Sequence, residues 1–246
     1  TGRKEGEPGA GPQKVGVALT DILTGLYATV AIQAALAYRE RHGVGQHIDL
    51  GLLDVQVACL ANQNLNYLTT GNPPTRLGNA HPNIVPYQDF PTADGDMILA
   101  VGNDIQFASL CAACGHPEWA DDPRFSRNAA RVAHREVLIP LLAEVTRSRT
   151  TQAWIALLEQ AGVPCGPINN LAEVFADPQI QAREMRIDLP HPLSGSAPGV
   201  ANPIRLSESP VEYRSAPPTL GQHTEAVLQS LLDLDAAQIE ALRGRG

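Results

Sequence analysis

The stretch TDILTGLYATVAIQAALAYRERHGVGQHIDLGLL, residues 20–53, decides the fold. Ile22, Leu26, Val30 and Ala34, flanked by Leu23, Ala31 and Ala35, recur at helical spacing and predict a helix over 21–42. Gly25, Ala28, Ala31, Ala34 and Ala35 are small enough to let another element approach closely. Basic side chains at Arg39, Arg41 and His42, followed by Gly43, mark the end of the helix. A glycine turn then leads into an expected short strand at His47–Leu50 and a second helix of about 17 residues running through Asn62 and Tyr67. Helix, turn, strand and helix in this order form an α/β module.

Upstream, residues 1–14 (TGRKEGEPGAGPQK) are Gly, Pro and charge, and read as an exposed loop. Downstream, GNPPTRLGNAHPNIVP (71–86) is a second loop, followed by a hairpin in YQDFPTADGDMILAVG turned at Asp94-Gly95. Helices are expected at 104–115, 128–148 and 150–161. Beyond the Pro/Gly turn at GVPCGP, one helix is expected and then another opened by Asp177-Pro178. Short strands broken by proline over 185–213 and a helix pair over 223–243 complete the chain. The pattern divides into 1–72, 73–190 and 191–246.

At 246 residues, 43% of them hydrophobic, the chain can build a core without disulfide or metal staples. Its net charge of -8 supplies no basic stripe for a phosphate backbone, so nucleic acid is not an expected partner. No uninterrupted apolar run is long enough to span a bilayer, so no membrane association is expected either. Cys111 and Cys114 fall in a helical segment without a second ligand pair. They read as buried helix packing with no metal site, and the four cysteines, Cys59 and Cys165 included, leave the cytoplasm as the expected compartment.

Two places carry candidate chemistry. Asp21 begins an otherwise apolar helix. It is either a helix N-cap or a carboxylate able to act as a nucleophile, with the hydroxyls of Thr20 and Thr24 nearby. The loop Gly78-Asn79-Ala80-His81-Pro82-Asn83 is either an ordinary turn or a lid whose amide and imidazole donors suit a carboxylate or a developing oxyanion. His191 and His223 sit beside prolines and at a helix start, and offer no catalytic spacing.

The run GVALTDILTGLYATVAIQAALAYRERHGVGQHIDLGLLDVQVACL resembles the central signature of the class III coenzyme A transferases. GNAHPNIVPYQ, AVGNDIQF, HPEWADDPRF (116–125), GVPCGPINN and LGQHT follow in the family's order, so the resemblance covers essentially the whole chain. The wording is most similar to the branch that moves CoA between succinyl-CoA and dicarboxylates such as glutarate. The resemblance implies that the chain corresponds to the C-terminal part of such an enzyme. A Rossmann-like half and most of the CoA-binding surface would then lie upstream of residue 1.

On that basis 1–72 is the remainder of a large Rossmann-like α/β domain, 73–190 a smaller α+β domain, and 191–246 a tail returning to the large one. The helix 21–42 is expected to be partly uncovered, and the strand at 47–50 to lack a neighbour. The resemblance makes Asp21 the nucleophile and places Gly78, Asn79 and His81 on the substrate loop; Arg76, just before it, is either a solvated loop arginine or a partner for the distal carboxylate of a diacid. The loop has one glycine where the formyl-CoA branch has several. Coenzyme A is a co-substrate, no cofactor is permanently bound, and the family implies an interlocked homodimer or a partner chain. The same fold also hosts 2-methylacyl-CoA racemases, and a non-catalytic subunit or a thioester hydrolase would share these residues.

Overall fold

The computed structural model describes residues 2–244. Its contacts divide the chain into two units, Thr1–Ile168 and Asn169–Gly246.

In the first unit α1 spans Leu19–His42 and ends at Gly43. The left-handed conformation of Gly43 (φ 71°) lets its N–H reach the Arg39 carbonyl. The helix begins two residues before the expected position, with Ala18 at its N-cap and no side chain capping it. Asp21 is therefore not an N-cap; it lies in the first turn, where helix amides favour a carboxylate. No residue of α1 is buried, and Val30 is 67% exposed. Counting uninterrupted apolar residues understated this helix. By length and composition it could cross a membrane, a test that core helices also pass.

The expected strand at His47–Leu50 is not formed, because a strand needs a hydrogen-bonded neighbour and no described segment supplies one. The expected second helix is two, α2 (Leu52–Ala58) and α3 (Asn62–Thr70). Between them Ala61 takes φ 47°, ψ -120°, which turns the chain out of helical geometry. α2 packs on α1, and Val55 is the one residue of α2 that is buried.

The core belongs to the segment that follows. β1 (Tyr87–Pro91) and β2 (Asp96–Ala100) form the expected hairpin, with Phe90 opposite Met97. β3 (Cys165–Pro167) adds to the other edge of β2, pairing Leu99 with Cys165. Alternation along β2 sends Met97 and Leu99 inward. There they meet Phe107, Leu110 and Cys111 of α4 (Asp104–Ala113), Leu138 and Leu142 of α6 (Arg135–Thr146), and Trp154 and Leu158 of α7 (Thr151–Gln160).

Asp94 in the hairpin turn accepts the Thr151 N–H at 2.8 Å, tying the turn to the start of α7. That backbone hydrogen bond holds its pKa below the ordinary value. The expected helix over 128–148 is split at His134 into α5 (Asn128–Ala133) and α6; His134 leaves helical geometry and its ring nitrogen reaches the Ala130 carbonyl.

Arg131 of α5 is fully buried and fully satisfied. It donates to the carbonyls of Val85 (2.6 Å) and Phe125 (2.8 Å) and to the Asp104 carboxylate (2.9 Å), and lies over the Phe107 ring. Burial opposes the charge on Asp104. The Arg131 and Asn128 hydrogen bonds outweigh it and hold the pKa below the usual carboxylate range. Cys111 and Cys114 are structural: burial pushes their thiols up to about 12 and about 11.

The second unit contains α8 (Leu171–Ala176), capped by Asn170, and α9 (Pro178–Ala182), opened by Asp177 as expected. A two-stranded antiparallel sheet follows, β4 (Arg186–His191) with β5 (Gly195–Val200). The helix pair is α10 (Thr224–Leu232) and α11 (Ala236–Arg243), joined by the Arg243–Glu225 ion pair at 2.6 Å.

Candidate active site

Asp21 is exposed on the first turn of α1, and among the described residues no hydrogen bond or ion pair engages its carboxylate. The expected hydroxyl neighbours are turned elsewhere. Thr24 donates to the Thr20 carbonyl at 2.7 Å, and Thr20 donates to the side-chain oxygen of Gln56, linking α1 to α2. Asp21 is thus presented by a helix held at its base, with its oxygens open to a ligand.

The 76–83 loop is built in two parts. Gly78 and Asn79 are exposed, and Gly78 has φ 64°, a conformation that favours glycine. Residues 81–83 are anchored by a dense set of bonds. His81 N–H donates to the Tyr87 carbonyl at 2.9 Å, and the His81 ring meets the Tyr87 ring edge-on. Asn83 and Asn66 of α3 exchange side-chain hydrogen bonds at 3.0 and 3.1 Å. Asn128 donates to the Asn83 carbonyl at 2.8 Å and accepts from Val85 N–H at 3.2 Å. Arg135 donates to the carbonyls of His81 (3.3 Å) and Pro82 (2.7 Å).

The Asn83 N–H donates to Nδ1 of His81 at 3.1 Å. A backbone amide can only donate, so Nδ1 is the unprotonated nitrogen and the ring proton sits on Nε2. Burial, and then the Arg135 charge, push the His81 pKa down. Burial also lowers that of Arg135.

A cavity of about 750 Å³ opens against this loop. Gly78, Asn79 and Ala80 form one side, the Arg135 end of α6 another, and Lys4 and Lys14 of the N-terminal segment a third. The structure therefore brings Gly78 and Asn79 to a cavity. It does not bring Asp21 there, since the wall stops at Val15 on that stretch of chain. His81 supports the loop without lining the cavity. Arg76 is engaged by the N-terminal segment, pairing with Glu5 at 3.4 Å, while its Nε is buried without a hydrogen-bond partner. Asn66, Asn128 and Arg135 were not singled out from the sequence. Their contacts with the loop come from separate helices, and no local spacing announces them.

Residues 2–224 match the model of CoA-transferase family III. The chain belongs to that family. It is 51% identical over 226 residues to a succinate–glutarate CoA-transferase of Agrobacterium fabrum, covering 92% of this chain and 56% of that protein. It is 41% identical over 248 residues to the succinyl-CoA:glutarate CoA-transferase of Homo sapiens, covering 100% of this chain and 55% of the relative. The fold matches the crystal structure of a CAIB/BAIF family protein from Brucella suis with a TM-score of 0.72 at 48% identity, covering 92% of this chain and 58% of that one. As a member of family III, the chain spans about half the length of the curated relatives it matches.

Proposed function

We propose that the protein containing this chain transfers coenzyme A from an acyl-CoA donor such as succinyl-CoA to a dicarboxylic acid such as glutarate, with Asp21 as the nucleophile. The observation that carries this reading is the family match over residues 2–224, with relatives named succinate–glutarate and succinyl-CoA:glutarate CoA-transferase. The open Asp21 carboxylate supports it.

An Asp21 oxygen attacks the donor thioester carbonyl, the carbon–sulfur bond breaks, and the CoA thiolate leaves behind a mixed aspartyl anhydride. The thiolate attacks the aspartyl carbonyl, releasing the donor acid and forming an aspartyl-CoA thioester. The acceptor carboxylate attacks that thioester and regenerates an anhydride and thiolate. Thiolate attack on the acceptor acyl carbon then yields the new CoA thioester and restores Asp21. No water is consumed and activation is conserved throughout, so either acyl-aspartyl intermediate must be shielded from hydrolysis.

On this reading residues 1–72 belong to a Rossmann-like large domain, 73–190 to a small α+β domain and 191–246 to a returning tail. The active form is a cytoplasmic homodimer, or pairs with a chain carrying the other half. α1 is a core helix of the larger assembly: its small residues suit close packing, and its apolar side chains lack cover within this chain. The cavity beside Gly78 and Asn79 takes the acid, which meets an Asp21 carboxylate only in the larger assembly, since Asp21 does not line that cavity within this chain, and CoA enters as a co-substrate.

The test is glutaryl-CoA formation from succinyl-CoA and glutarate by the complete gene product. Asp21→Asn and Asp21→Ala are expected to reduce turnover by about a thousandfold or more. Acid-quenched wild-type enzyme should carry an acyl or CoA adduct on the peptide containing Asp21. Near-native transfer by Asp21→Asn would overturn the assignment. Solvent deuterium appearing at C2 of an acyl-CoA without transfer would point to a racemase instead.

A further inference from the structure

Arg135 holds a position that family membership does not assign. It begins α6, it lines the 750 Å³ cavity, and it grips two consecutive carbonyls of the loop that forms the opposite side. A guanidinium presents its N–H groups as a rigid planar fork, so one side chain can hold two carbonyls in a fixed relation, which a lysine ammonium on a flexible stem does less well. Burial of a cation costs free energy unless its donors are used, and at Arg135 two are spent on His81 and Pro82.

The rest of the loop depends on this grip. With the carbonyls of residues 81 and 82 fixed, the Asn83 N–H is aimed at Nδ1 of His81, and the ring proton is left on Nε2. Asn66 and Asn128 hold Asn83 from two further helices. The anchored stretch thus adjoins the exposed pair Gly78 and Asn79, which line the cavity together with Leu77 and Ala80. The cavity itself is mixed in charge: Lys4 is paired with Glu136 at 2.9 Å, and Glu7 and Asp89 also line it. An anionic ligand therefore gains its place there from the geometry of the loop more than from an excess of cations.

We propose that Arg135 is a positioning residue for the acid substrate: by clamping the His81 and Pro82 carbonyls it fixes the Gly78–Ala80 wall of the cavity and holds His81 as an Nε2–H donor. The substrate part of this statement rests on the CoA-transfer reading; the clamp does not.

The clamp is tested on this chain labelled with ¹⁵N-histidine, the His81 signals being identified by their loss in His81→Asn. In the wild type the His81 Nδ1 should show the shift of an unprotonated nitrogen and Nε2 that of a protonated one. In Arg135→Ala the two shifts should move toward each other, and exchange of the Asn83 amide should quicken about tenfold, as for loss of one hydrogen bond. Arg135→Lys keeps the charge without the fork and should behave like Arg135→Ala. Unchanged Leu99 and Leu138 methyl signals would show the fold intact.

Unaltered His81 shifts in Arg135→Ala, or full rescue by lysine, would overturn the clamp. So would a wild-type ring protonated on Nδ1, which needs no variant to fold. In the complete gene product, Arg135→Ala should raise the KM for glutarate at least about tenfold while leaving that for succinyl-CoA within about twofold. An equal rise in both would remove the acid-positioning role. Absence of any transfer by the wild-type product would instead overturn the proposed function and leave the ¹⁵N result standing.

Discussion

Residues 85–165 and the helices α1–α3 are neighbours in one unit and are built in opposite ways. The first region closes fourteen buried hydrophobic residues, from Val85 to Val163, around a three-stranded sheet. The second contains the longest helix of the described chain and buries Val55 alone. The difference lies in what each can pair with. The sheet residues find three helices within their own segment, whereas α1 meets α2 and little else. Apolar composition sets how much a segment stands to gain from burial; whether the gain is realised depends on a partner surface. The two residues to which roles are proposed divide along the same line, Asp21 on the bare helix and Arg135 on the packed one.

The sharpest way to break this contrast is a pair of truncations in this chain, read by denaturant unfolding. Trp154 is 1% exposed and donates its indole N–H to the Thr146 carbonyl at 2.6 Å. Trp154→Ala should cost about 3–5 kcal/mol from the cavity and the lost bond. Val30→Ala removes a side chain that is already in solvent and improves helix propensity, so it should change stability by less than about 0.5 kcal/mol. In the complete gene product Val30→Ala should become costly, by about 1–3 kcal/mol, if the α1 face is covered there. Equal costs for the two truncations in this chain alone would mean that α1 is already buried in solution, for instance against a second copy.

A smaller effect is expected at the polar anchor of the packed region. Arg131→Met leaves the carbonyls of Val85 and Phe125 without their donor and Asp104 with only the exposed Arg127, at 3.5 Å, as its cation. The loss should be about 3 kcal/mol near neutral pH. The same pair gives an acid limb. Asp104 has a pKa lowered in the folded state, so the stability it contributes is present above its unfolded value of about 3.9 and is lost as pH falls through the folded one. Arg131→Met should therefore flatten the fall in stability below about pH 4 relative to wild type. An unchanged acid limb would show that other carboxylates control it.

How much of this was legible in the residues follows the same division. Signals written locally were readable: Gly43 as the stop of α1, Asp94-Gly95 as the hairpin turn, and Asp177-Pro178 as a helix start. The family itself was legible, because several spaced blocks carry it. The strand at His47–Leu50 does not form, and what the residues did convey, through the family resemblance, was that it would lack a neighbour to bond with. Arg135, Asn128 and Asn66 were missed for another reason. Each acts on backbone atoms of a loop far away in the chain, and any residue type in that loop would offer the same carbonyls. Arg76, singled out for its place beside the loop, is paired with Glu5, a contact that the sequence does not announce.

The break between α2 and α3 allows the finest test. Ala61 takes φ 47°, ψ -120°, close to the first central position of a type II′ turn, where glycine is preferred because a Cβ is crowded there. The continuous apolar pattern predicted one helix through this point, so the turn is imposed against local propensity by the packing of α2 on α1 and the Asn66–Asn83 bonds of α3. Ala61→Gly should then stabilise this chain by about 0.5–1 kcal/mol, the relief of backbone strain exceeding the added chain entropy of glycine. Destabilisation by a similar amount would mean that residues 59–61 are helical in solution. In that case α2 and α3 would be one rod, as the sequence pattern predicted, and α3 would no longer be turned to bring Asn66 to Asn83.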